Sequence, residues 1–311
     1  MEHVFTLGFI ITLIAATIRL SVPILLAALG GMFSERSGVI NIGLEGMMLI
    51  GALFGVIGSY MTGSPWFGIV FAIGGGILLA LVHAYMTVSL GVDHVVTGIA
   101  LNILSVGLTS FIFRAKFGIT TTPVTVNAFK PLVIPVLKDI PVIGPILFQQ
   151  NILVYLAFLL VPIASVILYR TSWGLAVRTV GEHPKAADTV GINVVKIRYI
   201  CVAISGVLAG VAGAFLSLGQ FNMFVDNMVS GRGFIAVAAV IFGKWKPLGI
   251  LAASLVFGLA DALQIRLQAA GTGIPYQWFL MLPYLVTVVA MSGLVGKTTA
   301  PAALGKVYEK N

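Results

Sequence analysis

The sequence predicts an all-α fold: a polytopic bundle of about 8–10 transmembrane helices, some of them short or broken. Three observations carry that prediction. Hydrophobic residues make up 59% of the chain, charged residues only 9%, and mean hydropathy is +1.08. Ordinary soluble domains carry roughly a quarter charged residues. Apolar runs that approach or exceed the ~18 residues of a membrane helix recur from one end to the other. All 311 residues then read as a single transmembrane domain. The net charge of +8 does not point to nucleic acid, because the basic residues sit mostly in loops and tail. Those are the places that carry a membrane protein's orientation signal. Glu2 and His3 stand where a signal peptide is basic, so the first segment is expected to be retained. Cys201 is single and lies in an apolar run, which excludes a disulfide framework and suggests a buried small side chain.

The elements follow in order. Residues 4–32 form the first apolar segment, interrupted by Arg19 and Pro23, and read as one long tilted span or two short pieces. Arginine at membrane depth is costly, so Arg19 must face protein or water or reach toward an interface. Residues 34–38 make a polar break. A second span begins within 39–48 and runs to 60, a third covers 66–90, and a fourth follows Asp93 and His94 and runs to 113. Residues 114–150 are rich in Pro, Thr and charge, and read as a long loop with short strand or interfacial pieces. The fifth span covers 152–169 and the sixth 199–218. Residues 233–243 reach barely half a bilayer if helical. Lys244-Trp-Lys-Pro247 breaks that piece, and the remaining spans cover 248–267 and 278–291.

The most polar run of any length lies at 178–192. Pro184 suits the first position of a helix, since it needs no donor there. Gly191 suits the left-handed residue that ends one. About two turns fit between them, with Ala186, Ala187 and Val190 on one small-residue face and Lys185 and Asp188 pointing elsewhere. So short a helix is marginal alone, and needs neighbours on its own chain or a partner to lie in. The plain alternative is a solvated loop helix between two spans. Arg170, Arg178, Lys185, Lys196 and Arg198 mark the loop at 170–198 as cytoplasmic. Counting spans from there puts 34–38, Lys244, Lys246 and the tail on the same side, and the loop at 114–150 outside. That outer loop still carries Arg114, Lys116, Lys130 and Lys138. A single first span leaves the amino terminus outside; a split one returns it inside.

Polar residues inside spans come next. Asn41 and Glu45 lie four apart and share a helix face, with Gly38, Gly43 and Gly46 around them. Small residues allow close packing or a locally broken helix, and both occur where transporters bind solute. A carboxylate in lipid is a functional candidate; the alternative is a pairing of Glu45 with Arg36, Arg19 or a helix end. Asp93 reads as a helix cap and His94 as an interfacial residue. Thr97 and Asn102 could donate to a solute or to a neighbouring helix. Gln220, Asn222 and Asp226 follow the sixth span on its outer side, where they could receive solute or be mere loop polarity. Asp261 and Gln264 are at helical contact spacing, whereas Asp261 and Arg266 are not. Asn41, Glu45, Thr97, Asn102, Asp261 and Gln264 are the candidate translocation-path residues. Gln220, Asn222 and Asp226 are the candidate contacts for a delivery protein.

Enzyme signatures are mostly absent. His3, His83, His94 and His183 are scattered without metal-ligand spacing. Gly296-Lys-Thr298 resembles the end of a phosphate loop, but its first glycine would fall at Met291 and no strand precedes it. Any ATP used must therefore bind another chain. Residues 34–40 faintly echo 230–235, which suggests a relic of duplicated halves.

The stretch Glu35-Arg-Ser-Gly-Val-Ile-Asn-Ile-Gly-Leu-Glu-Gly-Met-Met-Leu-Ile-Gly51 closely resembles the signature of the permeases of ribose and branched-chain amino acid ABC importers. Val95-Val-Thr-Gly-Ile-Ala-Leu-Asn102, Gly181-Glu-His-Pro-Lys-Ala-Ala-Asp-Thr-Val-Gly-Ile192, residues 231–243 and residues 257–268 fit as well. Within that family the chain looks like the nucleoside-uptake subgroup, which works with a basic-membrane-protein-type lipoprotein. The likeness covers about residues 28–291; His183 departs from an expected asparagine, and either residue could cap the short helix. The resemblance implies a multi-pass permease of a bacterial cell membrane that imports nucleosides such as guanosine. It implies a partner ATPase that holds the ATP and Mg, a second homologous permease and a substrate-binding lipoprotein. It maps the ATPase-coupling role onto Glu182, His183, Pro184, Lys185, Ala186, Ala187, Asp188, Val190 and Gly191. Two alternatives remain: the same importer class acting on a sugar or branched-chain amino acid, and an ion-coupled secondary transporter using Glu45 and Asp261.

Overall fold

A computed structural model describes residues 7–118, 123–132, 140–269, 276–282, 285, 288 and 299–308. Helix α1 (Leu7–Arg36) is one continuous helix with Pro23 inside it, so the first apolar segment is a single piece. Its 30 residues reach about 45 Å, more than the ~30 Å hydrocarbon core, which leaves room for tilt. Pro23 has no N–H to give to the Arg19 carbonyl one turn back. The Gln220 side chain takes over, with Nε2 donating to that carbonyl at 3.3 Å.

Residues 37–43 are not helical, and α2 (Leu44–Thr62) starts only after them. Helix α3 (Pro65–Ala84) continues as a π-helical turn to Ser89. Helix α4 (His94–Phe117) is capped by Asp93, whose carboxylate accepts from the N–H groups of Val95 and Val96. The following loop contains α5 (Ile143–Leu147) and two isolated antiparallel bridges, Thr125–Met223 and Pro131–Asn151. Helix α6 (Ile152–Arg170) leads through Thr171 into α7 (Ser172–Glu182) and α8 (Pro184–Thr189). Helix α9 (Val194–Ala214) ends in a second π-helical stretch to Phe221. Helices α10 (Arg232–Phe242), α11 (Pro247–Ala269) and α12 (Tyr276–Leu280) complete the order. Half of the span expected at 278–291 lies outside the described residues. Among the described residues, seven helices are long and apolar enough to cross a membrane, and α10 is too short.

The bundle has two distinguishable ends. At the basic end the α1 terminus, the α7–α8 pair, the start of α9, the end of α10 and residues 301–308 meet. Arg36 Nε donates to the Trp245 carbonyl at 3.0 Å, Trp245 Nε1 donates to Glu35 Oε2 at 2.6 Å, and Arg198 Nε donates to the Ser37 carbonyl at 3.2 Å. At the opposite end, Ser59 and Asn127, Val126 and Asn222, and Phe129 and Leu218 tie the loop after α4 to α2 and α9. The core is built on α2, α3 and α9, which pack most closely where glycines face each other. A Cβ added to Gly76 or Gly206 would overlap the other residue's carbonyl oxygen. Small residues let helix backbones approach in lipid, where no hydrophobic force favours one apolar partner over another. Gly206→Val should therefore push α9 off α3 and lower the melting temperature of detergent-purified protein by roughly 5 °C or more. An unchanged melting curve would show that the close approach is dispensable.

Candidate helix-break site and coupling helix

Two features stand out: a cluster where helices begin inside the bundle, and a short helix at its basic end. The cluster exists because α2 and α10 both start in the interior. Each exposes the unpaired N–H groups of a first helical turn. Lipid offers no water to satisfy them, and each orphan costs several kcal/mol. Glu45 and Asn102 meet the need. Glu45 sits in the first turn of α2 and is 7% exposed. Its Oε1 accepts from the Gly231 N–H and its Oε2 from the Gly233 N–H, both at 2.7 Å, so one carboxylate caps α10 with both oxygens. Negative charge at a helix N-terminus is also favoured by the helix dipole. Gly233 permits this approach: a Cβ there would lie 2.5 Å from the Glu45 Cα. Gly231 adopts the left-handed conformation at φ 85°, which glycine takes at little cost.

Asn102, projecting from α4, does the same for α2. Its Oδ1 accepts from the Gly46 N–H at 2.8 Å and its Nδ2 donates to the Ile42 carbonyl at 3.0 Å. The non-helical residues 37–43 are held from three further sides. The Ile40 N–H donates to His94 Nδ1 at 3.1 Å, and His83 Nε2 donates to the Ile40 carbonyl at 3.0 Å. Asn41 Nδ2 donates to Ser205 Oγ at 2.8 Å, while its Oδ1 is buried without a partner among the described residues.

The expected path residues thus separate. Asn41, Glu45 and Asn102 come together around the two helix starts. Thr97 is on α4 nearby, and its hydroxyl donates back to the Asp93 carbonyl at 2.8 Å. Asp261 faces Arg232 from another helix, Oδ2 to Nε at 4.0 Å, so its charged partner comes from α10 rather than its own helix. Gln264 is half-buried on α11. Glu45 pairs with a helix end, not with Arg36 or Arg19. His94, the first residue of α4, is 2% exposed and buried against Ile40. His83 was missed; a histidine inside an apolar span is itself a rare enough event at membrane depth to mark it.

At the opposite end, Gln220 lines a cavity of about 750 Å³ with Arg19, Arg266, Phe9 and Phe221. Asn222 has left-handed φ 57° and its carbonyl accepts from the Val126 N–H at 3.0 Å. Asp226 accepts from Ser110 Oγ at 2.8 Å and meets Arg114 at 3.4 Å, half-exposed. Of these three, Asn222 fastens the loop after α4, Asp226 bonds α4 itself and Gln220 bonds the backbone of α1.

At the basic end α8 runs from Pro184 to Thr189, with Gly191 left-handed at φ 86°, as the turn chemistry requires. Two expectations need correction. His183 holds the N-cap position but its side chain makes no capping bond. Ala187 is buried, whereas Ala186 and Val190 are exposed, so the three do not share one face. Ala187 packs with Val180 and Val194 in a small core of its own, joined by Ile192, Ile197 and Tyr308. Glu182 Oε2 accepts from the Ala302 N–H at 3.2 Å. Lys185 is exposed and Asp188 half-buried. Helix α7 was not anticipated; the Thr171 side chain accepting from Gly174 N–H starts it.

Glu45→Ala strands the Gly231 and Gly233 donors and should destabilise the protein by about 2–6 kcal/mol, at roughly 1–3 per orphan. Asp226→Ala, which loses an exposed pair, should cost under about 1 kcal/mol. Unfolding in detergent measures both. Wild-type stability in Glu45→Ala would remove the capping role.

The profile of the family described as the branched-chain amino acid transport system permease component matches residues 13–291. A guanosine ABC transporter permease of Bacillus subtilis, NupQ, is 42% identical over 309 residues, covering 96% of each chain. A nucleoside ABC transporter permease of Lactococcus lactis, NupC, is 38% identical over 310 residues, covering 96% of this chain and 97% of the relative. A candidate glucose ABC transporter permease of Haloferax volcanii, TsgC13, is 38% identical over 331 residues, covering 98% and 99%. No solved structure matches significantly. The broken helices, the membrane-length spans and this family match agree: the chain belongs to the branched-chain amino acid-type permease family and is a multi-pass cell-membrane permease component of an ABC transporter.

Proposed function

We propose that this permease imports nucleosides, guanosine among them, powered by ATP hydrolysed on a separate partner subunit. The observation that carries the reading is likeness over nearly the whole chain to two permeases named for guanosine and nucleosides. The basic end, with Arg170, Arg178, Lys185, Lys196 and Arg198, faces the cytoplasm by its charge. There the ATPase, carrying ATP and Mg, takes α8 through the exposed face of Lys185, Ala186 and Val190. A substrate-binding lipoprotein delivers solute at the opposite end, near Gln220, Asn222, Asp226 and the loop at 114–150. A second homologous permease completes the pathway.

Nucleosides are neutral, so their passage calls for hydrogen bonds and ring faces rather than a compensating charge. The cavity of Arg19, Gln220, Arg266, Phe9 and Phe221 offers both at the outer mouth. Glu45 and Asp261 are committed to the α10 N-terminus and to Arg232, which leaves little for the proton-coupled alternative. One observation favours a second reading: TsgC13 carries the name of a glucose permease at 38% identity.

Radiolabelled guanosine uptake in cells lacking this chain should fall to background and return with a plasmid copy. Unlabelled nucleosides should compete with it and glucose should not. Undiminished guanosine uptake in the deletion strain, with no rival importer present, overturns the assignment. Competition by glucose shifts it to the second reading.

A further inference from the structure

Residues 301–308 are an unexpected part of the basic end. They form a turn and extended stretch laid against three separate places. The Ala303 N–H donates to the Gly181 carbonyl at 2.9 Å and the Ala302 N–H to Glu182 Oε2 at 3.2 Å, fixing the stretch beside α7 and α8. The Gly305 N–H donates to the Gly38 carbonyl at 2.9 Å, fixing it to the non-helical segment. Arg198, 1% exposed, spans the same junction: Nε on the Ser37 carbonyl, Nη1 on the Lys306 carbonyl at 3.1 Å. Val307 reaches the turn before α4, where a Cβ on Gly91 would lie 3.2 Å from its Cγ1. Tyr308 closes the arrangement. Its ring packs on the small core of Val180, Ala187 and Val194 under α8, and its phenol lies close enough to the Asp188 carboxylate for that charge to raise its pKa.

The result is a composite surface. Helix α8 and the tail segment wall a cavity of about 450 Å³ between them, lined by Pro184, Lys185 and Ala186 on one side and Lys306, Val307 and Tyr308 on the other. Val190, which follows α8, is 74% exposed, and Val307 in the cavity wall is 47% exposed. Helix α8 has six residues, too few to offer a partner a wide face alone. The tail forms the opposite wall of the cavity beside it.

We infer that residues 301–308 form the second wall of the seat for the ATPase, so that the partner covering α8 also covers Val307. This rests on the coupling role proposed for α8. It adds that docking presses on a segment bonded at once to Glu182, Gly38 and Arg198, and hence on the break between α1 and α2.

Single-cysteine labelling tests it. Cys201 is the chain's one native cysteine and is buried, so it contributes little background. Val190→Cys and Val307→Cys are each labelled with a membrane-impermeant maleimide in inside-out vesicles, with the permease alone and co-assembled with its ATPase. Both sites should label about tenfold more slowly or worse in the complex, since thiol reactivity follows access. Protection at Val190 with unchanged labelling at Val307 overturns the inference and leaves the coupling role standing. Protection at neither site, with the ATPase still co-purifying, overturns the coupling role and the inference together. Protection at Val307 alone moves docking off α8 and overturns the shared seat.

Discussion

Everything in this bundle depends on satisfying backbone donors where helices start inside the membrane. A membrane helix normally hides its polar backbone within itself, and lipid tolerates no exception unless protein supplies the partners. Among the described residues the chain makes that exception at the starts of α2 and α10. The Glu45 carboxylate and the Asn102 amide are the answer to it. They lock α2, α4 and α10 into one unit. The polar atoms that might have looked like a solute path are largely consumed in holding the break.

The break has a mechanical consequence. Residues 37–43 lie between α1 and α2 without regular hydrogen bonds of their own, and they are gripped by His83, His94, Ser205 and Arg198. A segment held by side chains from several helices is one whose geometry follows those helices when they shift. Its basic-end side is bonded to the tail, and the tail to the α7–α8 pair. The structure thus supplies an unbroken chain of contacts from α8 at the basic end to the helix starts in the interior. Packed and hydrogen-bonded chains of this kind are one physical route by which two sites can be coupled.

Close glycine packing is the other half of the design. Where Gly76 meets Gly206, backbone approaches backbone, and the helices gain dispersion contacts that bulkier residues would block. Gly233 serves the cap in the same way, since only its missing side chain lets Glu45 reach past it. Within residues 35–51 the same holds at Gly51, where a Cβ would overlap the Gly210 carbonyl oxygen, so that stretch is constrained by geometry as well as by chemistry.

Much was legible in the sequence. Apolar run lengths placed the long spans to within a few residues, because a bilayer demands a fixed length of apolar helix. Pro184 and Gly191 placed α8, because their backbone limits are local. The shortness of α10 followed from counting residues. Other features were not legible. That residues 7–32 lie in one helix despite Pro23 depended on Gln220, about two hundred residues away, bonding the freed Arg19 carbonyl. The partners of Glu45, Asp261 and His94 were likewise set by which helices lie side by side. The face of α8 that Ala187 turns inward was decided by Val180, Val194 and Tyr308, none of them within the helix. Local chemistry thus determines where helices run and end. Which polar atom answers which orphan donor is a property of the packed bundle, because the partners meet only once the chain has folded.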